Sequence, residues 1–393
     1  MATQDEVERH ARRFRERLAR ALVRDGLLAD ARWRAAFDEV PRHEFLPRFF
    51  RPVAPNGWAA VDLTDDDWLS QVYANRVLVT QLDGDPSRWD KARRTGEIRG
   101  VPTSSSSMPA IMAVMLDALS VAAGDRVLEI GTGTGYNAAL LCHRLGDTLV
   151  STVDVDATLV TTARERLARC GYHPTCVATD GAHGYLPDAP YDRVLSTCAV
   201  SVVPLSWLAQ TRPGGIVVTT LNRPLGAGLV RVIAGEGPCG SGRVLVDDGR
   251  FMPLRAHRHP VDEAMITTLA EAPGASRPTD LPAAAVASPA SPFEFYAGLD
   301  LPGVTALTLN PTTVLLFHQD GSWARHHTSR GRHEVIQGGP RPLWDELETA
   351  HARWLSLGRP RRSRFGITIE PTQQQLWLDA PDSPYNWSLG DQA

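Results

Sequence analysis

The chain has 393 residues, of which 43% are hydrophobic, and a formal net charge of −4 at pH 7. This length suggests two or three domains at about 150 residues each, and the near-neutral charge gives no indication of binding to nucleic acid or to an anionic membrane. Without a long apolar run, a signal-peptide core, a Cys-x-x-Cys pair or histidines at ligand spacing, the sequence predicts a cytoplasmic protein with reduced thiols and no metal site.

The first hundred residues are predicted to form an N-terminal helical region beside the substrate site. Apolar residues at helical spacing predict helices over 5–24 and 30–39. The β-branched and aromatic residues of 72–81 predict a short strand or hairpin arm. The polar, charged stretch 83–100 predicts a loop.

A run of hydroxyl side chains, Thr103 to Ser107, comes directly before a predicted helix over 110–119. Consecutive serines are common in flexible linkers, which is one interpretation of the run. However, Pro109 is well placed for the first turn of the helix. The alternative is a carboxylate-binding helix entrance, because hydroxyl and N–H groups can both donate hydrogen bonds there.

A glycine-rich turn follows the apolar run Val127–Ile130 and precedes a helical pattern over 138–145. Such a turn brings backbone N–H groups and a helix N-terminus close to a nucleotide-like ligand. The spacing differs from the G-x-G-x-x-G of dinucleotide enzymes, and Glu129 would repel a pyrophosphate but suit a cationic amino group. Both features favour S-adenosylmethionine over NAD; the alternative is an ordinary turn. The turn has glycine at every second position: Gly131, Gly133 and Gly135.

Strands and helices alternate beyond this turn, which predicts a doubly wound, mostly parallel α/β sheet. Asp154 ends the next strand and can accept both ribose hydroxyls, whereas Asp156 is the expected N-cap of a helix over 157–170. Asp180, at the end of a third strand, could accept from an adenine amino group, or could simply form a turn with Gly181. The strands are predicted at 149–153, 174–179, 191–197, 213–221, 229–234 and 243–247.

The sequence changes character after residue 258. A Pro/Ala/Ser-rich stretch within 259–292 predicts a linker, and residues 293–393 predict a small α+β module with a helix over 342–357. Most of its tryptophans are expected in a core, with an exposed aromatic groove for a peptide as the alternative. The basic residues of 359–364 are expected to form a solvated loop rather than an acidic-peptide contact. Short strands are predicted at 304–309, 313–317, 365–369 and 375–379.

Eight segments occur in a characteristic order: Val40–Pro47, Thr103/Ser105, Glu129–Asn137, Asp154, Asp180–Gly181, Ala189–Arg193, Pro213–Gly215 and Phe251–Leu254. Through these segments, residues 1–255 resemble the protein-L-isoaspartate (D-aspartate) O-methyltransferase family. The likeness implies a class I methyltransferase fold over 101–258 that binds S-adenosylmethionine, and a substrate loop that begins at Thr103. This loop departs from the usual Thr-Ile-Ser-x-Pro. The implied cofactor residues are Glu129, Gly131, Thr132, Gly133, Thr134, Gly135, Asp154, Val155, Asp180 and Gly181.

The additional C-terminal module resembles a subgroup that acts in the biosynthesis of ribosomally made, modified peptides such as lanthipeptides, graspetides and lasso peptides. This resemblance implies a partner peptide with one defined aspartate. A general isoaspartate repair enzyme, which would need no such module, is the first alternative. A cofactor-gated binding scaffold without turnover is the second. A monomer is expected, with no nucleic acid or membrane partner.

The chemistry implied by the resemblance is methyl transfer to a side-chain or isoaspartyl carboxylate. A carboxyl group with a pKa near ~4 is already ionised at pH 7, so no strong general base is needed. Rate enhancement then depends on holding the carboxylate in line with the methyl group and on excluding water. The hydroxyls of Thr103, Ser105 and Ser106 are the candidates to orient it. The methyl ester is expected to close to a succinimide, which hydrolyses to aspartate or isoaspartate.

Overall fold

The computed structural model describes residues 4–54, 56–257, 263–288 and 290–390. The chain forms two units, residues 1–198 with 206–218, and residues 199–205 with 219–393. These units do not coincide with the four predicted segments, 1–100, 101–258, 259–292 and 293–393. The chain passes from one unit to the other three times between residues 198 and 219.

The helices of the first unit include the two predicted at the N-terminus and a short one where a loop was expected. α1 is amphipathic and packs on α2, and Asp30 caps α2 by accepting from Arg32 N. The helices are α1 (Gln4–Arg24), α2 (Ala31–Glu39), α3 (Trp68–Val72), α4 (Ser87–Thr95), α5 (Pro109–Leu119), α6 (Tyr136–Leu145), α7 (Ala157–Arg169) and α8 (Leu205–Ala209).

A small antiparallel sheet in the first unit contains the serine run. Its strands are β1 (Arg48–Val53), β2 (Gly57–Asp62), β3 (Leu78–Leu82) and β4 (Pro102–Ser106), in the order β2-β1-β3-β4. On β4, Ser105 pairs with Val79 and Ser106 with Leu78. The run is therefore an edge strand and not a flexible linker, and helix α5 begins at Pro109 as predicted.

The second sheet of the first unit is the predicted doubly wound one. Its strands are β5 (Val127–Ile130), β6 (Val150–Asp154), β7 (Thr175–Ala178), β8 (Tyr191–Val200) and β9 (Thr211–Asn222), in the order β9-β8-β5-β6-β7. Strand β5 pairs in parallel with both β6 and β8. All four of its residues are buried, as expected for a central strand covered on both faces.

The second unit is built on two antiparallel arrays, ordered β10-β11-β17-β18-β19 and β12-β16-β15-β14-β13. The strands are β10 (Ala227–Ala234), β11 (Gly240–Val244), β12 (Arg277–Pro278), β13 (Thr305–Asn310), β14 (Thr313–Phe317), β15 (Trp323–Ser329), β16 (Arg332–Gly338), β17 (Phe365–Glu370), β18 (Gln373–Leu378) and β19 (Asn386–Ser388). The helices are α9 (Glu263–Glu271), α10 (Ala284–Ala287), α11 (Glu294–Asp300) and α12 (Leu343–Ser356).

Three sequence predictions about local structure were incomplete or wrong. Residues 83–100 contain helix α4, whose Trp89 and Ala92 are buried, so the expected loop is wrong. The stretch 259–292 contains α9, β12 and α10 in its described residues. The sequence did not predict the hairpin β15–β16, because its many polar residues do not show the apolar–polar alternation typical of a strand. The prediction of a tryptophan core is confirmed, since Trp323, Trp344, Trp354 and Trp377 are buried.

Candidate functional site

The glycine turn between β5 and α6 has the backbone that its sequence requires. Gly131, Gly133 and Gly135 have φ angles of 98°, 51° and 87°. A Cβ on Gly131 would lie 2.6 Å from the Thr197 hydroxyl oxygen and 2.9 Å from the Cys198 sulfur. Only glycine combines this left-handed backbone with so close an approach to the end of β8.

The turn is held against the neighbouring strand by backbone and hydroxyl groups. The N–H groups of Gly131 and Thr132 both donate to the Val153 carbonyl oxygen, at 2.8 and 3.1 Å. The Thr132 hydroxyl lies 2.8 Å from the Thr152 hydroxyl and is buried. Thr134 accepts a long hydrogen bond from Tyr136 N at 3.4 Å. Both threonines therefore stabilise the turn itself, whatever ligand the turn binds.

Glu129 lies beneath the turn and not at an open strand end. It is fully buried, and its two carboxylate oxygens accept from Asn137 Nδ2 at 2.7 Å and from Thr152 Oγ1 at 2.6 Å. Burial raises the pKa of Glu129 to about 7, with a further increase from Asp154 that these two hydrogen bonds oppose. These hydrogen bonds join β5, β6 and α6, and contact of Glu129 with a cationic amino group stays a prediction.

Asp154 stands at the carboxyl end of β6, where the sequence predicts a ribose ligand. Its Oδ2 accepts from Gly133 N at 3.0 Å and its Oδ1 from Asp156 N at 3.1 Å. The carboxylate is half-buried, and the next side chain, Val155, is 44% exposed. Asp156 caps α7 by accepting from Thr158 N at 2.9 Å, which confirms its predicted role as N-cap.

Asp180 lies at the adjacent strand end. Thr179 N donates to the Asp154 carbonyl oxygen at 2.9 Å, so the ends of β6 and β7 are joined. The Asp180 carboxylate accepts from Ala182 N at 2.9 Å and caps a short 3-10 turn, while the Gly181 carbonyl accepts from an indole N–H. The turn interpretation of Asp180 therefore describes its local structure, and contact with adenine stays a prediction.

The serine strand β4 meets the glycine turn directly. A Cβ placed on Gly133 would lie 3.6 Å from the Ser105 carbonyl oxygen and 3.9 Å from the Ser104 hydroxyl. Ser106 is buried and accepts from Arg42 at 3.3 Å. Ser105 is half-buried, and among the described residues none forms a hydrogen bond with its hydroxyl. Ser105 is therefore the predicted hydroxyl best able to reach a substrate.

The Thr103 hydroxyl already forms two hydrogen bonds within the protein. Its hydroxyl donates to Gln81 Oε1 at 2.8 Å and accepts from Gly84 N at 2.9 Å. Gln81, which is 5% exposed, donates in turn to Asp156 Oδ2 at 3.0 Å. Thr103 thus connects β4 through Gln81 to the α7 N-cap, and its contact with a substrate carboxylate stays a prediction. Gln81 was missed as a functional residue, because its partners lie far from it in the sequence.

Arg42 is a second residue that the sequence did not single out. Its guanidinium is fully buried, donates to the Ser107 carbonyl oxygen at 3.0 Å and lies 5.5 Å from the Tyr136 ring centroid. Burial lowers the pKa of Arg42 to about 10. The arginine therefore fixes the end of the serine strand against the start of α6. The segment Val40–Pro47 carried the resemblance, but nothing in its pattern indicated this contact.

Two classes of site are not seen in the parts of the chain that the structure describes. No group of three or more His, Cys, Asp or Glu side chains there could hold a metal ion. Among the described helices, none combines the length and apolar content that crossing a lipid bilayer requires.

Comparison with known proteins identifies the family. Residues 95–233 match the model of the family described as protein-L-isoaspartate(D-aspartate) O-methyltransferase. A protein-L-isoaspartate O-methyltransferase 2 of Syntrophobacter fumaroxidans is 32% identical over 220 residues, which are 56% of this chain and 70% of that one. A protein-L-isoaspartate O-methyltransferase of Methanoculleus marisnigri is 33% identical over 227 residues, which are 58% of this chain and 85% of that one.

A solved structure named protein-L-isoaspartate O-methyltransferase has the same fold. It aligns over 93% of this chain and 100% of its own length, with a TM-score of 0.54 and 23% identity. Across the relatives compared, the aligned part spans between 50% and 85% of the relative's own length. With relatives above 30% identity matched over most of their length, the chain belongs to the protein-L-isoaspartate O-methyltransferase family.

Proposed function

We propose that this protein is an S-adenosylmethionine-dependent carboxyl O-methyltransferase that acts on an aspartyl or isoaspartyl residue of a peptide. The observation that carries the proposal is the meeting of the serine strand with the glycine turn, where the Ser104 hydroxyl and the Ser105 carbonyl oxygen lie beside Gly133. A cofactor turn and a hydroxyl-bearing strand at contact distance can hold a methyl donor and a carboxylate together, as methyl transfer requires.

The residues present fit such a cofactor. The positive φ angles of the turn leave its backbone open to close approach, and the Asp154 carboxylate at the end of β6 can accept from ribose hydroxyls. The exposed face of Val155 offers an apolar surface for a base. When bound, S-adenosylmethionine supplies an electrophilic methyl group bonded to a sulfonium sulfur.

The contribution of the protein to the chemistry is orientation. The Ser105 hydroxyl donates to the substrate carboxylate and leaves one carboxylate oxygen directed at the methyl carbon. The new bond joins this oxygen to the methyl carbon, the carbon–sulfur bond breaks, and its electron pair returns to sulfur. No proton moves in this step, because the carboxylate is ionised at pH 7.

The test is mass spectrometry of an isoaspartyl peptide incubated with enzyme and S-adenosylmethionine. We expect a product heavier by one methylene group, followed by a product that has lost one water relative to the starting peptide as the ester closes to a succinimide. The matched control peptide carries asparagine at the same position. Absence of both products with aspartyl and isoaspartyl peptides alike would support the alternative of a binding scaffold.

Within this function we favour the tailoring of a dedicated precursor peptide, in line with the resemblance of the C-terminal part. The homologous segments cover 56–58% of this chain, so a large part of the second unit is available for recognising a partner. General repair is the second candidate, and a specific observation favours it. The solved structure named as an isoaspartate methyltransferase has a fold that aligns over 93% of this chain, so an additional module does not by itself indicate a dedicated enzyme.

Substrate breadth separates these two candidates. A repair enzyme should methylate isoaspartyl peptides of unrelated sequence with similar kcat/KM. A dedicated enzyme should methylate one precursor, encoded near its own gene, far better than any of them. Equal kcat/KM for the precursor and for unrelated peptides would exclude the dedicated role.

A further inference from the structure

A small cleft opens beside the glycine turn in the first unit, on the side of α7. Its volume is about 90 Å³, enough for about three water molecules or one carboxylate group. The walls come from β1, β3, the start of α4 and the first turns of α7, and Gly133 and Thr134 close one side. Its main polar lining residues are Arg48, Thr80, Gln81, Asp85, Thr158 and Arg166.

Two arginines give this cleft its charge. Arg166 donates to the Phe45 carbonyl oxygen at 2.9 Å, and burial, followed by the like charges of Arg169 and Arg48, lowers its pKa to about 10. Arg48 lies over the Trp89 ring at 5.1 Å. Two guanidinium groups that repel each other in a partly desolvated cleft are stabilised by an anion placed between them.

Three carboxylates near these arginines are either screened by solvent or already accept hydrogen bonds from other groups. Asp90 lies 3.7 Å from Arg48, but 45% of the arginine side chain and 56% of the aspartate side chain are exposed, so solvent screens this pair. Asp85 accepts from Ser87 N at 2.8 Å at the start of α4. Asp156 accepts from Gln81 and from the first turn of α7.

Neutral hydroxyl donors add to the preference for an anion. The hydroxyls of Thr80, Thr158 and Thr162 line the cleft, and the first turns of α4 and α7 both border it. Asp85 and Asp156 already accept from the first N–H groups of α4 and α7, so these helix ends are capped. The cleft therefore offers two guanidinium groups and the hydroxyls of Thr158 and Thr162 to one small oxyanion.

The cleft adjoins the proposed methylation site. Gly133 and Thr134 form its wall, and Thr80 donates to the Ser104 hydroxyl at 3.1 Å. Ser105, next on the same strand, is the proposed carboxylate-orienting residue. Because an extended peptide advances about 3.4 Å per residue, a peptide whose aspartate reaches Ser105 can place a neighbouring side chain in the cleft.

We propose that the cleft binds the carboxylate of an acidic residue that flanks the modified aspartate in the peptide substrate. Arg48 and Arg166 hold this second carboxylate, with the guanidinium of either able to form paired hydrogen bonds to its two oxygens. The proposal rests on the proposed function and specifies its substrate class as peptides with an additional acidic side chain near the target.

The experiment compares isoaspartyl peptides that carry glutamate or glutamine at each position within two residues of the target. For the wild-type enzyme we expect one position at which glutamate raises kcat/KM about tenfold over glutamine, the effect of a charge-assisted hydrogen bond. Arg48→Gln and Arg166→Gln should abolish this preference. Arg169→Gln removes a nearby exposed charge outside the cleft and should keep it.

A charge-reversal variant at Arg48 keeps the proposal testable even if Arg166→Gln does not fold. Arg48→Glu should invert the preference, so that lysine at the same peptide position becomes better than glutamate. The absence of any acidic preference in the wild-type enzyme would overturn the proposal, and so would a preference that survives both glutamine variants. An equal loss of the preference in Arg169→Gln would show that the preference depends only on the overall positive charge of this region. That result would also overturn the proposal.

Two further measurements identify the source of the anion and separate this proposal from the proposed function. If inorganic phosphate inhibits competitively while no peptide shows an acidic preference, the cleft binds a free oxyanion and the peptide assignment fails. If no peptide is methylated, the proposed function fails. The preference can still be measured in that case by fluorescence anisotropy of the same labelled peptides.

Discussion

Replacing the buried carboxylate beneath the glycine turn should stabilise the protein at high pH. Glu129→Gln keeps the size of the side chain and removes its charge. The Oδ1 atom of Asn137 has no hydrogen-bond partner among the described residues. After the Asn137 amide rotates, this oxygen can accept from the amide introduced at position 129. Thr152 can still donate to the remaining carbonyl oxygen.

The size of the effect follows from the pKa of Glu129. Burial raises this pKa from its ordinary value of 4.5 to about 7. A tenfold change in acidity corresponds to about 1.4 kcal/mol, so ionised Glu129 destabilises the folded state by about 3 kcal/mol at pH 8. The folded state holds the Glu129 proton more tightly than the unfolded state does. The free energy of unfolding of the wild-type protein therefore falls as the pH rises from about 4.5 through about 7.

The assay is urea denaturation of the wild type and Glu129→Gln between pH 5 and pH 8, followed by intrinsic tryptophan fluorescence. We expect the free energy of unfolding of the variant to exceed that of the wild type by an amount that grows by about 2–3 kcal/mol across this range. A difference that stays constant with pH would refute the argument. Binding of S-adenosylhomocysteine by calorimetry should change little, because both Glu129 oxygens are used internally.

Substitutions at three other residues test the remaining parts of the site. Asp154→Asn should weaken S-adenosylhomocysteine binding about tenfold by calorimetry, and an unchanged affinity would exclude this carboxylate from the ribose site. In the same denaturation assay, Asp156→Ala should lower the free energy of unfolding by about 1 kcal/mol through loss of the α7 cap. Asp156→Asn should lower the free energy of unfolding by less, because asparagine can also cap a helix. Ser105→Ala should reduce kcat for peptide methylation with cofactor affinity unchanged, and a parallel loss of affinity would place this hydroxyl in the cofactor pocket instead.

The parts of the site that could be predicted from the sequence are those encoded locally. The turn at Gly131, the strand before it and the acids at the ends of β6 and β7 belong to a single alternating pattern whose members are close in sequence. Asp156 was recognised as an N-cap because a cap and its helix are neighbours. The sequence predicts the strand on which Glu129 lies. The hydrogen-bond donors to its two oxygens come from α6 and β6, and only the tertiary structure shows them.

The sequence by itself determined the α/β alternation, the glycine turn and the family resemblance, because each depends on residue type and on spacing within a short window. Only the tertiary structure decided that the serine run is a strand, that Thr103 contacts Gln81, and that Arg42 holds the end of that strand. The physical reason is that an edge strand of serines has neither an apolar face nor a period. Its conformation is imposed by partners on β3, and by an arginine more than sixty positions away in the sequence.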